Sequence, residues 1–239
     1  MAPQQIRGGK LNYMKPVVIA IDGPAGAGKS TVARKLAQRL GLDYVDSGAT
    51  YRAAALCVLE RRISVDDEQA VVEAIAGEGI GFLAAGADSR VLLDGRDVTA
   101  QIRTPEVTLA AAMVSRLPAV RQKLIALQRT LARGRGLVME GRDIGTVVFP
   151  DALVKVFLKA DPAERARRRL AQEREDGRNA TLEQTAAEIG CRDQLDAERK
   201  ISPLVAAPDA HEIDSTCLTA DQVVERIVEL ARDRLKIAD

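Results

Sequence analysis

The sequence predicts an α/β fold: a parallel sheet flanked by helices on both faces, in three layers, with a small β-containing insertion. Three observations predict it. An apolar run, Val17 to Ile21, leads through the glycine-rich loop Gly23-Pro24-Ala25-Gly26-Ala27-Gly28-Lys29-Ser30 into a stretch with helical apolar spacing. Strand-like runs then alternate with amphipathic stretches along the chain, the pattern of helices covering a parallel sheet. Between them, Arg90 to Thr99 reads as a hairpin turning at Asp94-Gly95. A hairpin has no place inside a βαβ unit, so residues 77–103 are expected to form an inserted subdomain. At 239 residues, 46% of them apolar, the chain suffices for one such domain with a sizeable core.

The elements follow in order. Residues 1–13 contain Gln4-Gln5, Gly8-Gly9 and a few basic side chains, without periodicity or a signal-peptide core. They read as a disordered extension ahead of a domain over 14–239, with Met14 an alternative start. Pro16 suits a first strand position. After the loop, apolar positions 32, 33, 36, 37 and 40 mark a helix that Gly41 stops. Asp43 to Asp46 is a short strand, leading through Ser47-Gly48-Ala49 into a helix from Thr50 to about Arg62. A second helix spans Asp66 to about Ala76, and residues 77–86 then carry four glycines. Thr104 and Pro105 supply a cap and a first helical residue. Pro118 opens a helix that stops at Gly134. Leu137 to Glu140 and Leu153 to Leu158 are core strands. Asp161-Pro162-Ala163-Glu164 has a capping-box pattern, with Glu164 expected to reach back to the cap. The helix it opens holds Arg165, Arg167, Arg168, Arg169 and Arg174 before Asp176 to Asn179 breaks it. A charged helix from Thr181 to about Lys200, a strand from His211 to Asp214 and a helix capped by Thr219 complete the chain.

The glycine loop matches G-x-x-x-x-G-K-[ST] in full and has the strand and helix that this motif requires. Its backbone N–H groups can surround phosphate oxygens, and the following helix points its positive dipole end at the same anion. Lys29 reaches the β- and γ-phosphates, and the Ser30 hydroxyl ligates Mg²⁺, the expected cofactor. Gly23, Pro24, Ala25, Gly26, Ala27, Gly28, Lys29, Ser30 and Thr31 are therefore the expected nucleoside-triphosphate-binding residues. The loop does not say what receives the phosphate. Ligands on open α/β sheets bind at the carboxyl ends of the strands. The loop, Asp46-Ser47-Gly48, Glu140 to Asp143 and the arginine helix all follow strand ends, so one cleft should gather them. Phosphoryl transfer between two anionic substrates needs arginines around both phosphates and a lid that expels water. Arg52, Arg142, the arginine helix, Arg192 and Arg199 are the available cations.

After Met14 nearly the whole chain resembles the bacterial cytidylate kinases (CMP/dCMP kinases). The resemblance rests on Ile21 to Thr31, Asp46-Ser47-Gly48-Ala49-Thr50-Tyr51-Arg52, Asp94-Gly95-Arg96-Asp97-Val98-Thr99 and Ile102 to Val107. It continues with Pro118-Ala119-Val120-Arg121, Gly141-Arg142-Asp143-Ile144-Gly145-Thr146 through Pro150, Arg192-Asp193 and Pro203-Leu204. It implies a P-loop kinase core, the insertion at 77–103 as part of a nucleoside-monophosphate subdomain, and an arginine-bearing helical lid over about 161–200. It implies γ-phosphoryl transfer from ATP to CMP or dCMP. By the same resemblance, Ser47, Tyr51, Arg52, Arg142 and Arg199 surround the acceptor phosphate, Arg121 and Asp143 read cytosine, and Arg192 and Asp196 contact the pentose. Lys29, Arg142 and Arg199 are then the expected catalytic residues. The chain departs from the family at Ala112, where a serine against cytosine is frequent; that contact is missing or comes from a neighbour such as Ser115. Thr50 stands where bulkier apolar residues are common.

Composition narrows the partners. A net charge of +1 argues against a global field for nucleic acid or membranes, and six aromatic residues are too few for base-stacking platforms. No apolar run approaches the roughly 20 residues of a membrane span. Three scattered cysteines, Cys57, Cys191 and Cys217, make neither a disulfide framework nor a zinc site, so a reduced, cytoplasmic setting is expected. The only histidine, His211, lies in a strand, which makes histidine catalysis an unsuitable reading. A monomer is expected. Two other readings of the loop stand beside the resemblance: a P-loop kinase for another small acceptor, and a nucleotide-binding switch protein.

Overall fold

Val18–Asp22 (β1) lies at the centre of a five-stranded parallel sheet, as its unbroken apolar run requires. In order across the sheet stand Asp43–Asp46 (β2), Leu137–Gly141 (β6), β1, Val154–Lys159 (β7) and His211–Asp214 (β8). The computed structural model describes residues 17–235 except 78, 87, 133–135, 176 and 200. The expectations for residues 1–13 and for Gly134 lie outside the described residues.

One face of the sheet carries Lys29–Leu40 (α1) and the C-terminal helix Ala220–Leu235 (α8). Val32, Leu36 and Leu40 of α1 meet Val223, Ile227 and Val228 of α8 over Ile19, Ile21 and Val156. The other face packs Ile125, from the helix Pro118–Leu131 (α5), with Ala20, Val45 and Met139. A further apolar cluster, spanning residues 49–124, joins Ser47–Glu60 (α2), Glu68–Gly77 (α3), Pro105–Val114 (α4) and α5 to a second small sheet.

That second sheet has three antiparallel strands, Ile80–Ala85 (β3), Asp88–Leu93 (β4) and Arg96–Asp97 (β5). The expected hairpin at Asp94-Gly95 is the β4–β5 pair, and both turn residues have positive φ, 49° and 77°. This is the backbone that Asp-Gly favours in two-residue hairpins. The glycine-bearing stretch before it forms β3, a strand that the composition did not announce.

Local capping corrects several expected boundaries. α2 begins at Ser47, not Thr50, because the Asp46 carboxylate accepts from the Gly48 N–H at 2.8 Å and draws 47–49 into the first turn. α3 begins at Glu68 for a similar reason: Asp67 accepts from the Ala70 N–H at 3.0 Å. Thr104 caps α4, and Gly41 ends α1 in the left-handed region at φ 66°. Pro162–Glu175 (α6) is capped by the Asp161 carboxylate, which accepts from the Ala163 N–H at 2.8 Å. Its capping box is only half formed. Asp161 donates its own N–H to Thr216 Oγ1, while Glu164 pairs with Arg167 and Arg168. Thr181 and Gln184 do form a complete box at the start of Leu182–Ala197 (α7). The segment after β6 winds into a π-helix, Ile144–Val148.

Candidate active site

The phosphate loop takes its shape from close backbone contacts. A Cβ on Gly23 would lie 2.0 Å from the Leu158 carbonyl oxygen of β7, so only glycine lets β1 pass into the loop there. Gly26, at φ 76°, leaves 2.8 Å between such an atom and the Arg165 carbonyl oxygen of α6. Gly28, at φ 91°, turns the chain into α1. Pro24, Ala25 and Ala27 complete the wall, and Thr31 follows Ser30 in the first turn of α1. The Lys29 ammonium is buried and donates to the Pro24 carbonyl at 2.7 Å. Burial, reinforced by the Arg142 guanidinium, pushes its pKa well below the usual lysine range.

Glu140, at the end of β6, was expected in the cleft but was given no role by sequence reasoning. Its carboxylate accepts from the Tyr44 hydroxyl at 2.5 Å, and the Ser30 hydroxyl is close enough to favour its ionised form. Burial and the nearby Asp46 raise its pKa. An acidic residue closing the otherwise apolar run Leu137-Val138-Met139 was the available signal. Together, the Ser30 hydroxyl and the Glu140 carboxylate are an oxygen-only donor set of the kind that Mg²⁺ takes alongside nucleotide phosphates.

Asp22, at the end of β1, was likewise not singled out. Its two oxygens accept from the Ile144 and Gly145 N–H groups at 2.8 and 2.7 Å. This ties the strand that leads into the phosphate loop to the segment bearing Arg142 and Asp143.

Across the cleft a second set of residues converges. The carboxylate of Asp143 pairs with Arg121, and both side chains are nearly fully buried, at 7% and 3% exposure. The Arg121 guanidinium also donates to the Ser115 carbonyl at 3.2 Å and lies 5.4 Å from the Tyr51 ring centre. Among the described residues, Asp143 Oδ1 accepts no hydrogen bond. The Tyr51 hydroxyl is buried without a partner, and burial pushes its pKa up to about 12.

The remaining residues form linked ion pairs. Arg142 Nε donates to Asp196 Oδ2 at 2.7 Å, and Arg199 pairs with Asp196 Oδ1. Although burial opposes ionisation of Asp196, these two guanidinium groups hold its carboxyl below the usual range. Burial lowers the Arg192 pKa to about 10, with Arg142 adding repulsion. Arg52 Nη2 donates to Asp46 at 2.5 Å. The Nε groups of Arg52, Arg121 and Arg199 are buried without partners among the described residues. Ser47 is buried, and a Cβ on Gly141 would lie 2.4 Å from its hydroxyl oxygen.

Both departures from the family pattern have local partners. The Ser115 hydroxyl donates to the Ala112 carbonyl at 2.9 Å and accepts from Arg199 at 3.3 Å. Ser115 thereby joins the Arg121–Asp143 pair to the Asp196 cluster. The Thr50 hydroxyl donates to the Ser47 carbonyl at 2.7 Å and accepts from Gln128 of α5 at 2.8 Å. It thus anchors the start of α2.

The sequence profile described as Cytidylate kinase matches residues 19–233. The cytidylate kinase of Geobacillus sp. (strain WCH70) is 47% identical over 217 residues, covering 91% of this chain and 97% of that one. That of Desulforamulus reducens is 52% identical over 210 residues, covering 88% and 94%. That of Caldanaerobacter subterraneus subsp. tengcongensis is 49% identical over 220 residues, covering 92% and 96%. With a phosphate loop facing a buried arginine–carboxylate cluster, and this likeness along almost its whole length, the chain belongs to the cytidylate kinase family.

Proposed function

We propose that this chain transfers the γ-phosphoryl group of ATP to CMP or dCMP, giving CDP or dCDP and ADP. The observation that carries the acceptor is the buried Arg121–Asp143 pair beside Tyr51, adjoining the Arg142–Asp196–Arg199 cluster. A carboxylate accepts from the cytosine 4-amino group, whereas uracil presents a carbonyl there and sets lone pair against lone pair. Asp143 Oδ1 is available for that bond, and Arg121 holds the carboxylate in place.

On the donor side, Gly23 to Thr31 cradle the triphosphate and Lys29 contacts the transferring group. Ser30 and Glu140 would hold Mg²⁺, which when bound neutralises charge on the β- and γ-phosphates. On the acceptor side, Ser47, Tyr51, Arg52, Arg142 and Arg199 take the phosphate. The buried orphan donors of Tyr51, Arg52 and Arg199 are capacity reserved for a ligand. Arg192 and Asp196 contact the pentose. No general base is needed, because the acceptor is a phosphate already ionised at neutral pH; positioning and charge neutralisation suffice. Residues 161–200 act as the lid that excludes water, and 77–103 as part of the acceptor subdomain. The protein works as a monomer in the cytoplasm.

The test is ADP release across a panel of nucleoside monophosphates and shikimate. CMP or dCMP should exceed UMP in kcat/KM by roughly 10²-fold or more, because rejection leaves buried polar groups unpaired. Asp143→Ala should lose CMP activity without gaining UMP activity. ADP release independent of any acceptor, or a preference for another acceptor, would overturn the proposal.

A further inference from the structure

The lid reaches the phosphate loop through a carboxylate. Asp193, near the end of α7, accepts from the Ala25 N–H at 3.1 Å through Oδ1 and pairs with Arg165 of α6 through Oδ2. Arg165 Nη1 also donates to the Ala25 carbonyl at 3.0 Å. Both polar backbone groups of Ala25 are therefore held by one lid ion pair. The α6 backbone presses on the next residue, leaving room at Gly26 for no side chain. Lys29 spends its ammonium on Pro24, one residue away. The Nε of Arg165 is buried and unpartnered.

A carboxylate is an unexpected tenant for such a loop. The inward N–H groups, the helix dipole and Lys29 together favour an anion. Asp193 supplies one, bearing a single charge where a nucleoside triphosphate would bring several. Two anions a few ångströms apart in a partly buried site repel strongly. A triphosphate drawn to this loop would meet the Asp193 carboxylate, which sits on the Ala25 N–H with Arg165 as its counterion.

We propose that Asp193 is a latch on the donor site: its carboxylate occupies the phosphate loop together with Arg165, and the incoming triphosphate evicts it. On eviction Arg165 exchanges the carboxylate for a phosphate oxygen, so the cation is delivered only when donor is present. The latch lowers donor affinity by the fraction of time it is closed. It also links the two substrates mechanically. α7 carries Asp196, one turn beyond Asp193, and Asp196 holds Arg142 and Arg199 of the acceptor cluster. This inference rests on the reading of the loop as the ATP site.

The experiment is calorimetric titration of the full chain with Mg²⁺ and the non-hydrolysable β,γ-imido analogue of ATP, without acceptor. Wild type, Asp193→Asn, Asp193→Ala and Lys29→Met are compared, with thermal melts establishing that each is folded. Both Asp193 variants should bind about tenfold more tightly, the factor for a latch closed about nine-tenths of the time. Their acceptor-independent ATP hydrolysis should rise as well. Equal or weaker binding by the folded Asp193→Asn protein would overturn the latch and make the pair a static strap. Lys29→Met separates the two levels. If wild type fails to bind the analogue, or Lys29→Met binds it equally well, the donor-site reading falls and takes the latch with it.

Discussion

Asp22 is a buried carboxylate whose hydrogen-bond partners are two backbone N–H groups rather than a cation. Burial raises its pKa from 3.8 to about 6; the two N–H groups pull the other way and Asp143 adds repulsion. The folded chain therefore holds this proton more tightly than the unfolded chain does. Stability from this group is fully present below pH 4 and is lost as pH rises through about 6. The displacement corresponds to about 3 kcal/mol. Against an Asp22→Asn reference, wild type should lose about that much stability between pH 4 and pH 7, as read from urea unfolding at both values. A pH-independent difference between the two proteins would show that burial exacts no such penalty. In return, the carboxylate fixes the turn that aims Asp143. This role was illegible in the sequence, because it depends on partners more than a hundred residues away. The loop around Lys29 and Ser30 was legible because its shape is written in a contiguous motif. Arg121 and Asp143 were reachable only through family resemblance, since nothing local says that they pair.

At the scale of elements, the most legible features were those settled within a few residues. Asp94-Gly95 announced its turn, Thr104-Pro105 its helix and Gly41 a helix end, each by local stereochemistry. The boundaries that shifted did so where an aspartate side chain captured a nearby N–H group, as at Asp46 and Asp67. β3 was hidden because glycine carries no strand preference of its own; its pairing with β4 decides the matter. α7 offers a quantitative check. Its Thr181–Gln184 box satisfies two otherwise orphaned N–H groups at the exposed end of a helix whose other end carries Asp193 and Asp196. Thr181→Ala should cost about 1 kcal/mol, lowering Tm by about 2–4 °C in a chain of this length. Its kcat should remain within twofold of wild type, since the cap lies at the opposite end of α7 from the Arg142–Asp196–Arg199 cluster. Differential scanning calorimetry and steady-state kinetics read the two halves, and a collapse of kcat without a Tm change would contradict the cap's structural role.

For the molecule as a whole, the near-zero net charge conceals a local field. Lys29, Arg52, Arg142, Arg192 and Arg199 gather over the strand ends, and the carboxylates of Asp22, Asp46, Glu140 and Asp196 offset all but one of those charges. The kcat/KM for CMP should accordingly fall by roughly threefold as monovalent salt rises from 50 to 500 mM, because screening weakens steering of the dianion. Stopped-flow association kinetics would locate the effect in the on-rate, and an unchanged on-rate would mean that the carboxylates cancel the field entirely. The strand order has a consequence for synthesis. β1 leaves the ribosome before both of its neighbours, β6 and β7, which lie more than a hundred residues downstream. At elongation rates of roughly 20 residues per second, it waits several seconds for its first partner. The cluster spanning residues 49–124 needs no strand of the main sheet and can condense meanwhile. The nascent chain thus condenses residues 49–124 first, and the phosphate loop, although made before them, takes its shape only when Leu158 and Arg165 arrive against Gly23 and Gly26.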